Sequence, residues 1–140
     1  MAAGVKFYSF INKLGLGVYN LDTDDIAIYL TNTAPNVATM SVKADLAEIA
    51  TGNGYTGPIS IDNVYSQAGG IGTLTGNATT TIAASGGPIG PFRYVVAIDN
   101  TVVGKPLICY WDYGAPYTIN DGSNFQFNLD DPPTVMATLQ

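Results

Sequence analysis

The chain has 140 residues, enough for one domain with one buried core. Only 11% of the residues are charged, the net charge is −6, and the five basic residues (Lys6, Lys13, Lys43, Arg93 and Lys105) are scattered, which excludes a basic stripe for neutralising nucleic-acid phosphates. Histidine is absent and Cys109 is the sole cysteine, so histidine general-base chemistry, an internal disulfide and a one-chain thiolate zinc site are excluded as well.

Taken from the start, Phe7, Phe10, Ile11 and Leu14 recur at i, i+3, i+4 and i+7 and predict a short helix, stopped by Gly15 and Gly17. Residues 1–17 read as a helical arm and residues 18–140 as the body of a single domain. A helix this short is unstable alone and needs a surface to lie on. Its apolar stripe, with Tyr8 beside it, reads as an interface element more than as core. Lys6 and Lys13 interrupt the opening segment, so no secretory signal is expected, and no apolar run reaches the length of a membrane span.

Asp22, Thr23 and Asp24 predict a turn. Ile26, Ile28 and Leu30 alternate with Ala27 and Tyr29 as a half-buried strand would. A loop around Pro35 leads to a helical turn over Ala44–Ile49, ended by Gly52-Asn53-Gly54. From Pro58 onward the pattern is strands. Ile59, Ile61 and Val64 form one, Gly69 to Gly72 break the chain, and Leu74 and Thr79–Ile82 supply more. The glycine- and proline-punctuated stretch Ser85–Pro91 predicts a rigid corner.

Beyond the corner, Phe92, Tyr94, Val96 and Ile98 are expected on one face of a strand and Arg93, Val95 and Ala97 on the other. Both sets are largely apolar, which predicts a strand covered on both sides. Leu107, Cys109 and Trp111 alternate next, placing Trp111 and an inert Cys109 thiol in the core. A hairpin-type turn at Asp121-Gly122, a strand with Phe125, Phe127 and Leu129, a turn over Asp130–Pro133 and a strand with Val135, Ala137 and Leu139 complete the chain. About seven or eight short strands punctuated by turns predict a mainly β fold, a single antiparallel β-sandwich or barrel-like domain with a short N-terminal helix.

No residue set points to catalysis. A Gly-rich phosphate loop and a nucleophile elbow are both missing. Asp22, Asp24 and Asp25, and Asp130 with Asp131, read as turn residues, with calcium ligation as the alternative. Asp112 is a lone acid among Tyr110, Trp111 and Tyr113, whereas glycosidases need two carboxylates. Tyr110, Tyr113 and Tyr117 read as partly core and partly protein interface, with sugar stacking as the alternative. Arg93, the only arginine, is expected to meet an Asp of its own chain or a neighbouring subunit, or else water. No cofactor is expected.

Three stretches resemble small virion proteins of tailed bacteriophages and their prophages. They are Leu46–Thr56, Gly87–Tyr94 and Lys105–Gly114, together with the opening helix and the run Leu30–Pro35. The resemblance spans nearly the whole chain. It implies a capsid decoration or cement protein on the outer surface of the head, made in the bacterial cytoplasm. The implied partners are the major capsid protein and further copies of the chain, commonly as a trimer. It brings no catalytic residues, and neither direct nucleic-acid binding nor a membrane is implied. A tail or tail-tube component and a carbohydrate-binding adhesin displayed on the virion stand as alternatives. The candidate contact residues are Phe7, Tyr8, Phe10, Ile11, Leu14, Arg93, Tyr110, Tyr113 and Tyr117.

Overall fold

The computed structural model describes residues 4–76, 79–128 and 134–139. In chain order it runs β1 (Val5–Lys6), α1 (Tyr8–Gly15), β2 (Ile26–Thr31), a 3-10 turn (Lys43–Asp45), β3 (Ile59–Ser60), β4 (Asn63–Ala68), β5 (Ile71–Gly76), β6 (Thr79–Ala83), β7 (Ile89–Asp99), β8 (Leu107–Ile119), β9 (Asn124–Asn128) and β10 (Thr134–Leu139). The fold is mainly β, antiparallel throughout, sandwich-like and not closed into a barrel. The Asp130–Pro133 turn and the Leu129 position lie outside the described residues.

One layer is a five-stranded sheet in the order β1-β8-β7-β2-β3. The other comprises a three-stranded sheet, β10-β5-β4, and a β6-β9 pair. The main core sits between the layers. Ile26, Ile28 and Leu30 of β2, Val95 and Ala97 of β7, and Cys109 and Trp111 of β8 meet Leu74, Ile82, Phe125 and Phe127 from the facing strands. Fully burying one such side chain contributes about 1.5–3 kcal/mol. The opposite face of the five-stranded sheet has its own apolar cluster, in which Ala27, Tyr29, Tyr94, Val96, Ile98 and Leu107 lie under Phe7, Val37, Met40 and Leu46. β7 is therefore covered on both faces, as its sequence predicts.

β2 departs from its half-buried pattern: every one of its residues is buried. Alternation reports which residues share a face, but the cover on the second face comes from the loop over residues 37–46, which follows β2 and folds back over it. The Leu107 amide donates to Ser41 O and the Lys43 amide to Lys105 O, pinning that loop across the sheet. The expected helical turn over Ala44–Ile49 shrinks to Lys43–Asp45, because Glu48 bridges to Thr31 and the Ile49 amide donates to Leu30 O instead of continuing a helix. Tyr55, fully buried, completes this cap on the β2 edge. Its hydroxyl accepts from the Leu30 amide (3.0 Å) and donates to Glu48 (2.6 Å), whose other oxygen holds Lys43 Nζ at 2.8 Å.

Several other expectations are corrected. The residues 59–64 do not make one strand: Ile59 and Ser60 pair with β2, while Val64 pairs with Thr75 in the other layer. The break expected over Gly69–Gly72 is narrower: Gly69-Gly70 is the tip of the β4–β5 hairpin, and Ile71 and Gly72 already belong to β5. The Asp121-Gly122 turn carries the chain between layers, since β9 pairs with β6 and not with β8. The expected faces of β7 and β8 are also interrupted by register shifts. Ala97 opposes Cys109 but Ile98 opposes Leu107, so Ile108 is an extra residue and Leu107 joins the opposite face from Cys109 and Trp111. Phe92 falls into the main core with Val95, away from Tyr94, Val96 and Ile98.

The N-terminal arm is integral to the domain. β1 extends the sheet, with Val5 opposite Tyr110 and Lys6 opposite Cys109, and the Phe7 amide donates to Ile108 O.

Candidate functional site

The shift at Phe92 has a local cause with a large consequence. Phe92 opposes Tyr117 and Tyr94 opposes Asp112, so Tyr113, Gly114, Ala115 and Pro116 of β8 stand against Arg93 alone. An insertion of this kind bends the strand and re-aims side chains, which is why bulges recur beside binding sites. Gly114, at φ +101°, takes a backbone conformation that other residues rarely adopt. The bulge is held by Arg93, whose Nε donates to Asp112 Oδ1 at 2.8 Å and Nη2 to Oδ2 at 3.0 Å. The Gly114 amide also donates to Asp112 Oδ1 (2.8 Å). The guanidinium beside it, and then the Gly114 amide, hold the Asp112 carboxyl below its usual range. Arg93 thus finds an Asp of its own chain.

The bulge throws Tyr113 outward, where it is 53% exposed. Its ring lies 5.2 Å from Tyr117 and 5.6 Å from Phe125, and Phe125 stacks edge-on against Phe92 at 5.1 Å. Between this aromatic group and β9 opens a groove of about 450 Å³, floored by Val95, Trp111 and Phe127 and rimmed by Asp112, Asn124 and Gln126. A second hollow of about 510 Å³ lies beside the end of α1, between Leu14, Tyr19, Leu21 and Tyr65.

The sequence-derived contact residues separate into distinct environments. Phe7 and Phe10 are fully buried within the chain, Phe7 against Tyr110 (5.8 Å) and Phe10 against Tyr19 (5.2 Å). They are core residues, correcting their reading as interface: the arm's stripe faces the chain's own two clusters. Leu14 packs half-buried on the main core. The outer side of the arm carries Tyr8, 63% exposed, and Ile11, 55% exposed. Tyr110 packs with Phe7 and Tyr94 on the opposite face from Trp111, so it does not join Tyr113 and Tyr117. Trp111 is buried, its ring 5.0 Å from Phe127, and burial also pushes the Cys109 thiol up.

The acidic turn behaves unexpectedly. Asp25 accepts from Ser60 Oγ and Asn100 Nδ2, and Asp24 accepts from the Asn20 amide. Asp24 also meets the carboxyl of Asp99, which is fully buried at the end of β7. Asp99 Oδ1 accepts from the Thr101 and Val102 amides (3.0 and 3.2 Å), while Oδ2 has no donor among the described residues. Two carboxylates in contact repel unless they share a proton. Burial first, and then the Asp24 hydrogen bond, push Asp99 up to about 7, and the same bond lowers Asp24. Nothing in the sequence signals this pair, because 75 positions separate its members. Asn124 and Gln126 at the groove rim were equally illegible, since they read only as the polar face of an alternating strand.

Among the described residues no group of His, Cys, Asp or Glu is arranged to hold a metal, and no helix is long and apolar enough to cross a membrane. Neither a family model, nor a curated protein, nor a solved structure matches the chain.

Proposed function

We propose that this chain is a structural protein of a tailed-bacteriophage virion: a decoration protein on the outer surface of the head that ties neighbouring major capsid protein subunits together. The observation that carries the reading is the uncovered outer side of the N-terminal segment. Between residues 5 and 18, Val5 (49%), Tyr8 (63%), Ile11 (55%), Leu16 (73%) and Val18 (36%) stay exposed while Phe7 and Phe10 anchor the same segment in the core. Large apolar side chains gathered on a rigid element favour cover by another protein. The low charge of the chain fits such packing, and the sequence resemblance supplies the virion context and the trimeric assembly.

A shell assembled from many copies meets at weak seams, and a bound bridging protein adds buried area to each of them. Gold-labelled antibody against the chain, applied to virions released by the host that carries the gene, should decorate the head at a high and constant copy number. Labelling confined to the tail would replace this reading with a tail component. The double variant Tyr8→Ser, Ile11→Ser should keep its native melting transition and lose attachment to heads stripped of the protein. Attachment equal to that of the parent would refute the assignment of this surface.

A further inference from the structure

We propose that the groove between β8 and β9 is a binding site for a neutral carbohydrate. This goes beyond the virion reading and stands or falls independently of it, because it concerns the isolated chain. The groove volume of about 450 Å³ falls inside the range of roughly 300–1,000 Å³ found for ligand clefts and has room for a sugar ring and part of its neighbour.

Two kinds of surface converge there. The first is aromatic. Tyr113, more than half exposed, offers a flat face beside the half-buried Tyr117, while Trp111 lies at the floor. The carbon-bound hydrogens on one face of a pyranose ring pack on such an aromatic plane, and the electron-rich face of the ring favours them. Tyr113 is held out by the β8 bulge and needs no rearrangement to present that face.

The second surface is planar and polar. The exposed amides of Asn124 and Gln126 sit on the β9 side of the groove, and their side chains hydrogen-bond to no described residue. Asp112 stands on the β8 side, fixed by Arg93 and the Gly114 amide, and among the described residues its Oδ2 accepts only from Arg93 Nη2. One further acceptor position on Oδ2 is therefore open. A carboxylate accepts and an amide both donates and accepts, so together they match vicinal hydroxyls, which do both.

This donor and acceptor set discriminates between ligand classes. An extended proline-rich peptide also seeks aromatic grooves, but it presents mainly carbonyl acceptors, which the Asp112 carboxylate cannot satisfy. Anionic sugars are disfavoured too. Among the described residues no lysine or arginine lines the groove, the nearby Arg93 is committed to Asp112, and the chain carries a net charge of −6.

Trp111 is the only tryptophan of the chain, so its emission reports on the groove floor without labelling. The purified full chain is titrated with neutral trisaccharides built from glucose, galactose, mannose, N-acetylglucosamine or rhamnose, with a glucuronate-containing trisaccharide and a proline-rich decapeptide alongside. At least one neutral trisaccharide should shift the Trp111 emission saturably, and the glucuronate sugar should bind more weakly than its neutral counterpart. Tyr113→Ala and Gln126→Ala, both at exposed positions, should each weaken that binding about tenfold while leaving the melting transition unchanged. The proposal is overturned if no neutral trisaccharide perturbs the emission at ~10 mM, if the acidic sugar or the peptide binds tighter, or if both variants bind as the parent does.

Discussion

The Asp24–Asp99 pair makes stability depend on pH in a direction opposite to that of most carboxylates. Asp99 is fully buried and its pKa rises from 3.8 to about 7, whereas in the unfolded chain it returns to the ordinary value. Between those limits the folded chain holds a proton that the unfolded chain does not. The contribution of Asp99 is therefore complete below about pH 4 and is lost as pH climbs to about 7. Asp24, lowered by the same hydrogen bond, acts only below its ordinary range, outside this window. Each unit of pKa difference is worth about 1.4 kcal/mol, which bounds the loss at about 4 kcal/mol. Asp24 is partly open to water, and screening there reduces the expected loss to about 1–2 kcal/mol.

The replacement Asp99→Asn keeps an acceptor for the Thr101 and Val102 amides and places an N–H donor toward the Asp24 carboxylate, with no proton to lose. Melting followed by circular dichroism from pH 4.5 to 8 should fall for the parent by roughly 3–8 °C. The variant should stay flat and melt above the parent at pH 8. A parent curve that is level across this range, or a variant that follows the parent's fall, would refute the shared proton.

Other consequences are open to direct measurement. Tyr55→Phe leaves the Leu30 amide buried without its acceptor and takes the donor from Glu48 Oε2, with Lys43 still on Oε1, so urea denaturation should show a loss of about 1–3 kcal/mol. Trp111→Ala empties a site packed against Phe127 and should cost about 3–5 kcal/mol, while the native parent should show the blue-shifted emission of a shielded indole. Gly54 sits at φ +106°, and a Cβ added there overlaps the Ala83 carbonyl oxygen, so Gly54→Ala should destabilise by at least about 1–3 kcal/mol in the same assay. An unchanged urea midpoint in any of the three would contradict the contact described for it.

The sequence by itself determined the local periods and what they imply. Alternating apolar residues separated by Gly, Pro, Asn and Asp specify short strands and turns, so the mainly β, sandwich-like class was legible, as were the double cover of β7 and the burial of Trp111 and Cys109. The pairing of the lone Arg93 with a carboxylate stood among the readings that its chemistry allowed. Tertiary structure decided everything that depends on register and on distant segments. A two-residue period carries no mark of a bulge, so only the pairing of β7 with β8 moved Phe92 and Leu107 to the faces opposite those expected and pushed Tyr113 into the open. The helical stripe likewise required burial without naming its partner, and the chain's own sheet took Phe7 and Phe10 and left Tyr8 and Ile11 outside. The groove and the carboxyl pair belong to the same category. Each is made by residues on separate strands and turns, brought together by backbone pairing and core packing that no local stretch of the chain encodes alone.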